Sequence, residues 1–256
     1  MKKRTLYSVV LVMLSVASAV VLAEAEPVKN IVLVHGAWVD ASGWDAVYET
    51  LTKDGFNVSM VQEPETSFAD DVAATKRVLD LQDGPTLLVG HSYGGSIITE
   101  AGVHPKVVGL VYVAAHAPDV GENESALGKM TPSTLGRTNG AVKRTANEFT
   151  YLDPAQFPVL FAPDLPRERA SFMAESQVLA AASVFSTPLT AAAWKAKPSW
   201  GIVATSDQII SPDLERWYYA RANSHTVEIK GASHAVYASH PKEVAAVIAN
   251  AARSVK

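Results

Sequence analysis

Residues 86–95 read TLLVGHSYGG, an apolar run that leads directly into a serine flanked by glycines. The run 86–89 is typical of a buried strand, and the residues from Gly94 to about Val103 are typical of a helix. Between them, Gly90-His91-Ser92-Tyr93-Gly94 fits the pattern G-x-S-x-G. Such a serine occupies a tight, strained strand-to-helix turn, so its neighbours two residues away need almost no side chain. The stretch predicts that Ser92 is a nucleophile at a helix N-terminus.

Apolar runs that predict strands alternate with stretches that predict helices. The run 31–34 is continuously apolar, as expected of a parallel strand covered on both faces. The other predicted strands are 56–61, 86–89, 107–114, 200–204 and 226–229, and the helices begin near Ser42 or cover 68–81, 94–103, 212–222 and 241–252. This order predicts an α/β fold, a mostly parallel sheet with helices on both faces.

The first predicted helix has a recognisable start and end. Its apolar positions, Trp44, Val47, Tyr48 and Leu51, are spaced i, i+3, i+4, i+7. Ser42 followed by Asp45 resembles a capping box, with Asp in place of Glu. Gly55 stands where a helix-terminating glycine belongs.

The alternation stops between residues 118 and 198. This segment is rich in proline, shows no clear strand, and has helical stretches such as 167–184. Because a long unpatterned loop is improbable inside a compact domain, the segment predicts a helical cap inserted into one domain of residues 26–256.

A serine nucleophile needs a base, and in a fold of this type the base follows an acid in chain order. Of the seven histidines, His234 lies in a loop after the last predicted strand, where a base projects over the sheet edge. The acid is expected after the strand that resumes at residue 200. Asp207 is there; Asp213 is the competitor, but it lies in a first helical turn, where the helix dipole alone favours a carboxylate. We therefore predict a Ser92-His234-Asp207 triad.

An acyl-transfer site also needs two N–H donors for the oxyanion. One is expected from Tyr93, the residue after the nucleophile. The other is expected from the loop after the first strand, where Ala37 N–H is the choice.

At this point the chain resembles the α/β-hydrolase superfamily, and within it the branch of plant methylesterases and hydroxynitrile lyases. The resemblance covers nearly all of the chain after the N-terminal segment. It rests on the stretches 34–37, 90–95, 114–119, 206–212 and 231–234 and on the positions of Trp44 and Trp217.

The resemblance implies an esterase rather than a lyase. Lyases of the branch carry a threonine and a lysine where this chain has Gly36 and Ala235, and the lysine is the cation that would stabilise cyanide. A carboxylic-ester hydrolase acting on small, largely apolar esters is expected. The expected pocket residues are Trp38, His116, Phe149 and Phe161, although cap aromatics such as Tyr151, Phe157, Phe172 and Phe185 also suit the cap's own core.

Two other functions use the same residues. Some members of the superfamily are small-molecule sensors with an intact triad, and turnover of model esters separates them from enzymes. Others are cofactor-free perhydrolases or haloperoxidases, which an assay with peroxide identifies.

Composition narrows the partners. The chain has 256 residues, a net charge of -4 and well-mixed charges, so nothing predicts nucleic-acid binding. It has no cysteine, which excludes disulfides and thiolate chemistry. The histidines lack metal-ligand spacing, so we expect no metal and no cofactor. The sequence leaves the oligomeric state open.

The N-terminus predicts export. Lys2, Lys3 and Arg4 precede the apolar run 6–22, and Ala23-Glu24-Ala25 provides a small-x-small cleavage site. This is the layout of a signal peptide covering residues 1–25, with an earlier cut after Ala19 as an alternative. We expect a periplasmic or secreted protein with no membrane association after cleavage; an uncleaved anchor is the competing interpretation.

Overall fold

The computed structural model describes residues 28–255, so the predicted signal peptide lies outside the described residues. The strands are β1 (Asn30–Val34), β2 (Asn57–Val61), β3 (Thr86–His91), β4 (Val107–Val113), β5 (Val142–Arg144), β6 (Phe149–Leu152), β7 (Ala180–Ala181), β8 (Ser199–Ala204) and β9 (His225–Ile229). The α-helices are α1 (Asp45–Lys53), α2 (Phe68–Asp80), α3 (Gly94–Ala101), α4 (Glu124–Gly128), α5 (Thr134–Arg137), α6 (Phe157–Leu160), α7 (Arg167–Glu175), α8 (Pro212–Arg221), α9 (Val236–Ser239) and α10 (Pro241–Ser254). Short 3-10 helices cover Ala41–Trp44, Ala182–Ser186 and Ala193–Lys195.

The main sheet has six strands in the order β2-β1-β3-β4-β8-β9, and every neighbouring pair is parallel. The predicted α/β fold is therefore confirmed. Every residue of β1, β3 and β8 is buried, as their continuous apolar runs indicated, whereas the edge strands β2 and β9 are largely exposed. Across residues 28–255, no helix combines the length and apolar character needed to cross a bilayer.

The strand order reverses direction at β1 and β3. After β1 the chain crosses to β2 on one side, and it then returns to β3 on the other side. Val34 at the end of β1 pairs in register with Gly90 near the end of β3. Because the connections from these two strands diverge, their carboxyl ends form the kind of opening at which α/β sheets bind ligands.

The start of the first helix differs from the prediction. Asp40, not Ser42, is the cap: its side chain accepts a hydrogen bond from Ser42 N, at 2.7 Å, and begins the 3-10 helix that precedes α1. The Ser42–Asp45 capping box is thus wrong, because the chain needs an extra tight turn before the helix. The predicted end is confirmed, since Gly55 has φ +88 and Phe56 N donates to Leu51 O at 3.1 Å.

The segment 118–198 contains four short α-helices and also a three-stranded antiparallel sheet, β5-β6-β7. The expectation that it holds no strand is wrong, and the helix predicted over 167–184 ends at Glu175. These strands are two to four residues long, too short for an alternating pattern. They are fixed by distant partners: Thr150 Oγ1 accepts from Trp38 Nε1 at 3.2 Å, and Ala181 N donates to Glu65 O at 2.8 Å.

Candidate active site

Ser92 lies at the turn between β3 and α3 with φ +54, a left-handed conformation that is rare for a residue with a side chain. The chain around it is too close for larger neighbours. A Cβ at Gly90 would lie 2.4 Å from Gly94 O, and a Cβ at Gly94 would lie 2.4 Å from His35 O. These close approaches are the physical reason for the two glycines of the motif, and they hold Ser92 in its strained conformation.

His234 and Asp207 are brought together by the loops after β9 and β8. His234 Nδ1 lies 2.5 Å from Asp207 Oδ2, and both side chains are buried. The other carboxylate oxygen, Oδ1, accepts the backbone N–H groups of Ile209 at 2.7 Å and Ile210 at 3.0 Å. Asp207 is therefore fixed in orientation and in turn fixes the His234 ring.

The second ring nitrogen of His234, Nε2, makes no hydrogen bond to the described residues. Nε2 is buried and has no hydrogen-bond partner within residues 28–255, Ser92 Oγ included. Hydrogen bonds of this kind are often long before substrate binds and shorten afterwards. The arrangement leaves Nε2 available to accept a proton.

His91 and Phe161 fix His234 from behind. His91 Nε2 lies 2.9 Å from the His234 carbonyl oxygen, which only accepts, so Nε2 carries the proton. Burial lowers the pKa of His91 well below its usual value, and the charge of His234 acts in the same direction. The Phe161 ring meets the His234 ring edge-on, with centroids 4.7 Å apart. Phe161 therefore orients the histidine rather than lining the main pocket.

The His234 loop is also tied to the cap. Ser233 N donates to Asp164 Oδ2 at 2.8 Å, and Ser233 Oγ lies 2.5 Å from Asp164 Oδ1. Ala235 N donates to Phe161 O at 3.1 Å. The cap thus holds the backbone on both sides of His234.

The predicted oxyanion donors lie in the loops that flank Ser92. A Cβ at Gly36 would be 2.6 Å from Ser92 Cβ, so the loop after β1 runs directly against Ser92. In the described part of the chain, the N–H groups of Ala37 and Tyr93 have no acceptor, either backbone or side chain. The same contact explains why Gly36 cannot carry the threonine of the lyases without a backbone shift.

A buried acidic network connects these two loops. Trp38 N donates to Glu65 Oε2 at 3.3 Å, Glu65 N donates to Asp71 Oδ1 at 2.8 Å, and Tyr93 OH donates to Asp71 Oδ2 at 2.8 Å. Burial raises the pKa of Asp71 to about 6 and that of Glu65 well above its usual value. The network holds the loop of Ala37 and the side chain of Tyr93 in a fixed relation.

Two further buried groups support the site. His35 Nδ1 lies 2.9 Å from Gly36 O, and His35 Nε2 accepts Glu63 N–H at 3.0 Å, so the ring is neutral and braces the loop. Glu215 lies behind the acid and accepts Ala204 N–H at 3.1 Å. Burial, and then the charge of Asp207, raise the pKa of Glu215 well above its usual value.

A pocket of about 480 Å³ lies beside the loops that carry Ala37 and Asp207, although Ser92 and His234 are not among its lining residues. The sequence-predicted Trp38 and His116 line it, and His116 N donates to Ser92 O at 3.2 Å. Phe149 instead lines a separate surface cavity, and Phe161 lies behind His234. The remaining pocket walls come mostly from the cap: Glu124, Ser125, Gly128, Lys129, Pro132, Ser133, Leu135, Gly136, Val142, Phe185, Ile209 and Ile210.

Several residues of the site carry no sequence signal. Asp71, Glu124, Glu215 and Tyr218 lie far from the motifs in sequence and reach the site only through the fold. Their acidic or aromatic character is common on helix surfaces, so only their burial distinguishes them. Across residues 28–255, no three histidine, aspartate or glutamate side chains are grouped to hold a metal ion.

A parallel sheet with a glycine-flanked serine at a strand-to-helix turn defines the α/β-hydrolase architecture. Residues 31–247 match the model of the Alpha/beta hydrolase family. The chain belongs to that family.

Similar proteins come from plants and bacteria. The chain is 29% identical to norfluorocurarine synthase 2 from Strychnos, over 84% of this chain and 92% of that protein. It is 33% identical to a carbendazim-hydrolysing esterase from Nocardioides over 38% of this chain and 46% of that protein. The structure of a methylesterase from Arabidopsis superposes with a TM-score of 0.70 at 19% identity, over 88% of this chain and 98% of that one. The family match confirms the predicted α/β-hydrolase membership, and the Arabidopsis methylesterase shares the fold.

Proposed function

We propose that this protein is a serine hydrolase that cleaves small, largely apolar carboxylic esters through an acyl-enzyme. Ser92 Oγ attacks the ester carbonyl while His234 Nε2 takes the hydroxyl proton. The same proton is then given to the departing alcohol. A water molecule, activated by His234, releases the acid and restores Ser92.

The observation that carries the proposal is the buried His234–Asp207 pair beside a strained serine. The 2.5 Å contact at Nδ1 keeps the imidazole in the tautomer whose Nε2 accepts a proton. Asp207 would then stabilise the imidazolium that forms. The left-handed φ of +54 at Ser92 supports the same role, because strain of this kind is typical of a nucleophile at a strand-to-helix turn.

The backbone N–H groups of Ala37 and Tyr93 are proposed to bind the oxyanion. Their lack of acceptors in the described chain supports this role, because an oxyanion would satisfy both. Preorganised donors of this kind stabilise charge that develops only in the transition state.

Enzyme class and substrate size rest on different supports. The enzyme class, a carboxylic-ester hydrolase, rests on the family and on similar proteins that are named esterases. The substrate size rests on the pocket, whose volume of about 480 Å³ suits a small molecule. Apolar walls such as Leu135, Val142 and Ile209 favour an uncharged acyl or alcohol group.

The proposal is tested with a series of chromogenic esters in which the acyl and alcohol parts are lengthened separately. A fluorophosphonate probe should label Ser92 in the wild type and fail to label Ser92→Ala. If the enzyme hydrolyses none of these esters and the probe does not label Ser92, the proposal is wrong.

Export of the protein is a second part of the proposal. It is supported only by the sequence of residues 1–25, and the protein would act in the periplasm or outside the cell. Intact-mass analysis should give a mature chain that begins near Glu26. Recovery of a chain that starts at Met1 in the membrane fraction would favour the anchor interpretation.

A further inference from the structure

Two polar side chains face each other in the wall of the pocket. His116 follows β4, and Glu124 is the first residue of α4. His116 Nε2 and Glu124 Oε2 lie 3.6 Å apart, which is longer than a hydrogen bond. Within residues 28–255, neither atom has a hydrogen-bond partner.

The other ends of both side chains are anchored. His116 Nδ1 lies 3.1 Å from Tyr218 OH, and Glu124 Oε1 lies 2.5 Å from Ser96 Oγ. Anchoring Glu124 through Ser96 explains why one oxygen is buried against α3. It does not explain why the second oxygen and the imidazole Nε2 are left facing the pocket.

The protonation states make this pair a donor and an acceptor. Burial lowers the pKa of His116 to about 3, with a contribution from the charge of His234, so the ring is neutral. Burial raises the pKa of Glu124 to about 8, against the opposing hydrogen bond from Ser96, so the carboxyl is protonated near neutral pH. With the ring proton on the Tyr218 side, the Glu124 hydroxyl donates and His116 Nε2 accepts. Transfer of the proton from Glu124 to Nε2 only exchanges the two roles.

We propose that Glu124 and His116 bind a hydroxyl group of the substrate, so the preferred substrates are hydroxylated esters. This inference rests on the proposed esterase function and specifies its substrate class. A hydroxyl oxygen both donates and accepts, and it fits about 2.8 Å from each of two atoms separated by 3.6 Å. A ketone or ether oxygen only accepts, and an ammonium group only donates, so each leaves one atom of the pair unsatisfied.

The hydroxyl would sit a few bonds from the reacting carbonyl. Ser96, the partner of Glu124, lies in the first turn of α3, the helix that begins two residues after Ser92. The backbone N–H of His116 donates a hydrogen bond to Ser92 O at 3.2 Å. The pair is therefore near enough to bind a substituent on either the acyl or the alcohol part of a small ester.

The first measurement compares shape-matched esters on the wild-type enzyme by pH-stat titration. The acyl pair is methyl 3-hydroxybutyrate against methyl 3-methylbutyrate. The alcohol pair is 2-hydroxyethyl butyrate against propyl butyrate. The hydroxylated member of at least one pair should have a kcat/KM about 10- to 100-fold higher, since its absence leaves two polar atoms unpaired. Equal efficiencies in both pairs would overturn the inference, whether or not any variant folds.

Variants then assign the preference to the two side chains. His116→Phe and Glu124→Met should each reduce the ratio to within about threefold, because each removes a contact that only the hydroxylated ester makes. Glu124→Gln should retain most of the ratio, since the amide oxygen still accepts from Ser96 and the amide NH2 group donates to the substrate hydroxyl. Glu122→Gln is the matched control: this carboxylate, paired with Arg221, does not line the pocket and its loss should leave the ratio unchanged.

The outcomes separate this inference from the proposed function. A preference that survives both His116→Phe and Glu124→Met, or that Glu124→Gln abolishes as fully as Glu124→Met, would overturn the hydroxyl site. Failure of the wild type to cleave any of the four esters, with Ser92 unreactive toward fluorophosphonate, would instead remove the esterase proposal.

Discussion

The sheet core and the cap of residues 118–198 build the site in different ways. In the core, strand ends and close glycine contacts place Ser92, His234 and the loop of Ala37 through the backbone. In the cap, helices of four to nine residues and a small antiparallel sheet supply side chains to the pocket wall. The proposed bond-breaking steps therefore depend on the core, whereas most of the pocket wall comes from the cap.

The two regions also differ in how their structure is encoded. Core strands are long, apolar and buried on both faces, so each is specified by its own sequence. Cap strands such as Ala180–Ala181 are specified by what they pair with. The fold of the cap strands therefore depends on contacts with distant parts of the chain, whereas the core strands are specified locally.

The largest effect is expected from the proposed triad. Ser92→Ala and His234→Ala should fold normally and lower kcat by about 10⁴- to 10⁶-fold, because each removes a group that takes part in bond formation or proton transfer. Asp207→Asn should leave more residual activity, and double variants should lose little beyond the worst single change. Ester hydrolysis and thermal melting provide the measurements.

Asp213→Asn is the control for the acid. Asp213 lies in the first turn of α8, is exposed and pairs with Arg216. Its loss should cost about 0.3–1 kcal/mol of stability and leave turnover nearly intact. An inactive Asp213→Asn beside an active Asp207→Asn would mean that the acid is misassigned.

The next largest effect should come from Gly36→Ala. The new methyl group would lie 2.6 Å from Ser92 Cβ and 2.9 Å from His91 Nδ1, so the loop must move away from Ser92. Displacing one oxyanion donor should lower kcat by about 100- to 1000-fold. Gly84→Ala, whose added Cβ has only Asn30 Nδ2 at 3.8 Å, is the matched control. Full activity of Gly36→Ala would contradict the placement of the oxyanion site.

A smaller effect is expected from the acidic network beneath the core loops. Asp71→Asn replaces one acceptor oxygen and should disturb either Tyr93 OH or Glu65 N–H. We expect kcat to fall roughly tenfold with KM little changed, as for the loss of one buried hydrogen bond. Asp70→Asn, one residue away and exposed, should have no effect on kcat. A change in KM alone would place Asp71 in substrate binding instead.

Cap substitutions should alter selectivity more than rate. Phe185 lines the pocket and packs against Trp38 and Tyr93, with ring centroids 5.6 and 5.8 Å apart. Phe185→Ala should change the ratio of kcat/KM for long and short acyl chains by about 3- to 10-fold, because apolar contact area is removed. Phe172→Ala, on the exposed face of α7, should leave the ratio as it is. Equal losses for all chain lengths would argue against a selective cap.

The smallest effect is expected on the pH dependence of thermal stability. Because burial raises the pKa of Glu124 to about 8 in the folded protein, the folded state binds this proton more tightly than the unfolded state does. The contribution to stability is complete at low pH and is lost as pH rises from about 4.5 to about 8. The Tm of Glu124→Gln should therefore fall less between pH 5 and pH 8 than the Tm of the wild type, by roughly a few degrees.

Glu122→Gln again serves as the control, because the pKa of Glu122 is lowered and its titration lies below this range. Scanning calorimetry at several pH values makes the comparison. A Glu124→Gln variant with the same pH slope as wild type would mean that Glu124 is ionised in the folded protein.

Much of the core could be predicted from the sequence, because the apolar runs that form its strands and helices are local features. The strand predicted over 31–34 and the helix predicted over 68–81 agree with β1 and α2 to within a residue or so. The cap sheet and the Asp40 cap were missed, since one depends on distant pairing and the other on an extra turn. Phe149 and Phe161 were expected in the pocket but do not line it, because aromatic character alone does not reveal which way a side chain faces.

The sequence by itself determined the strand order along the chain, the glycine-flanked turn at Ser92 and the order of serine, acid and histidine. Each of these depends on residue type and spacing within a short stretch, which local sterics and apolar periodicity translate directly into backbone. Tertiary structure alone decided that Asp71 braces Tyr93 and that Glu124 faces His116 across the pocket. Such contacts join residues distant in sequence, and their protonation depends on burial, which exists only once the chain has folded.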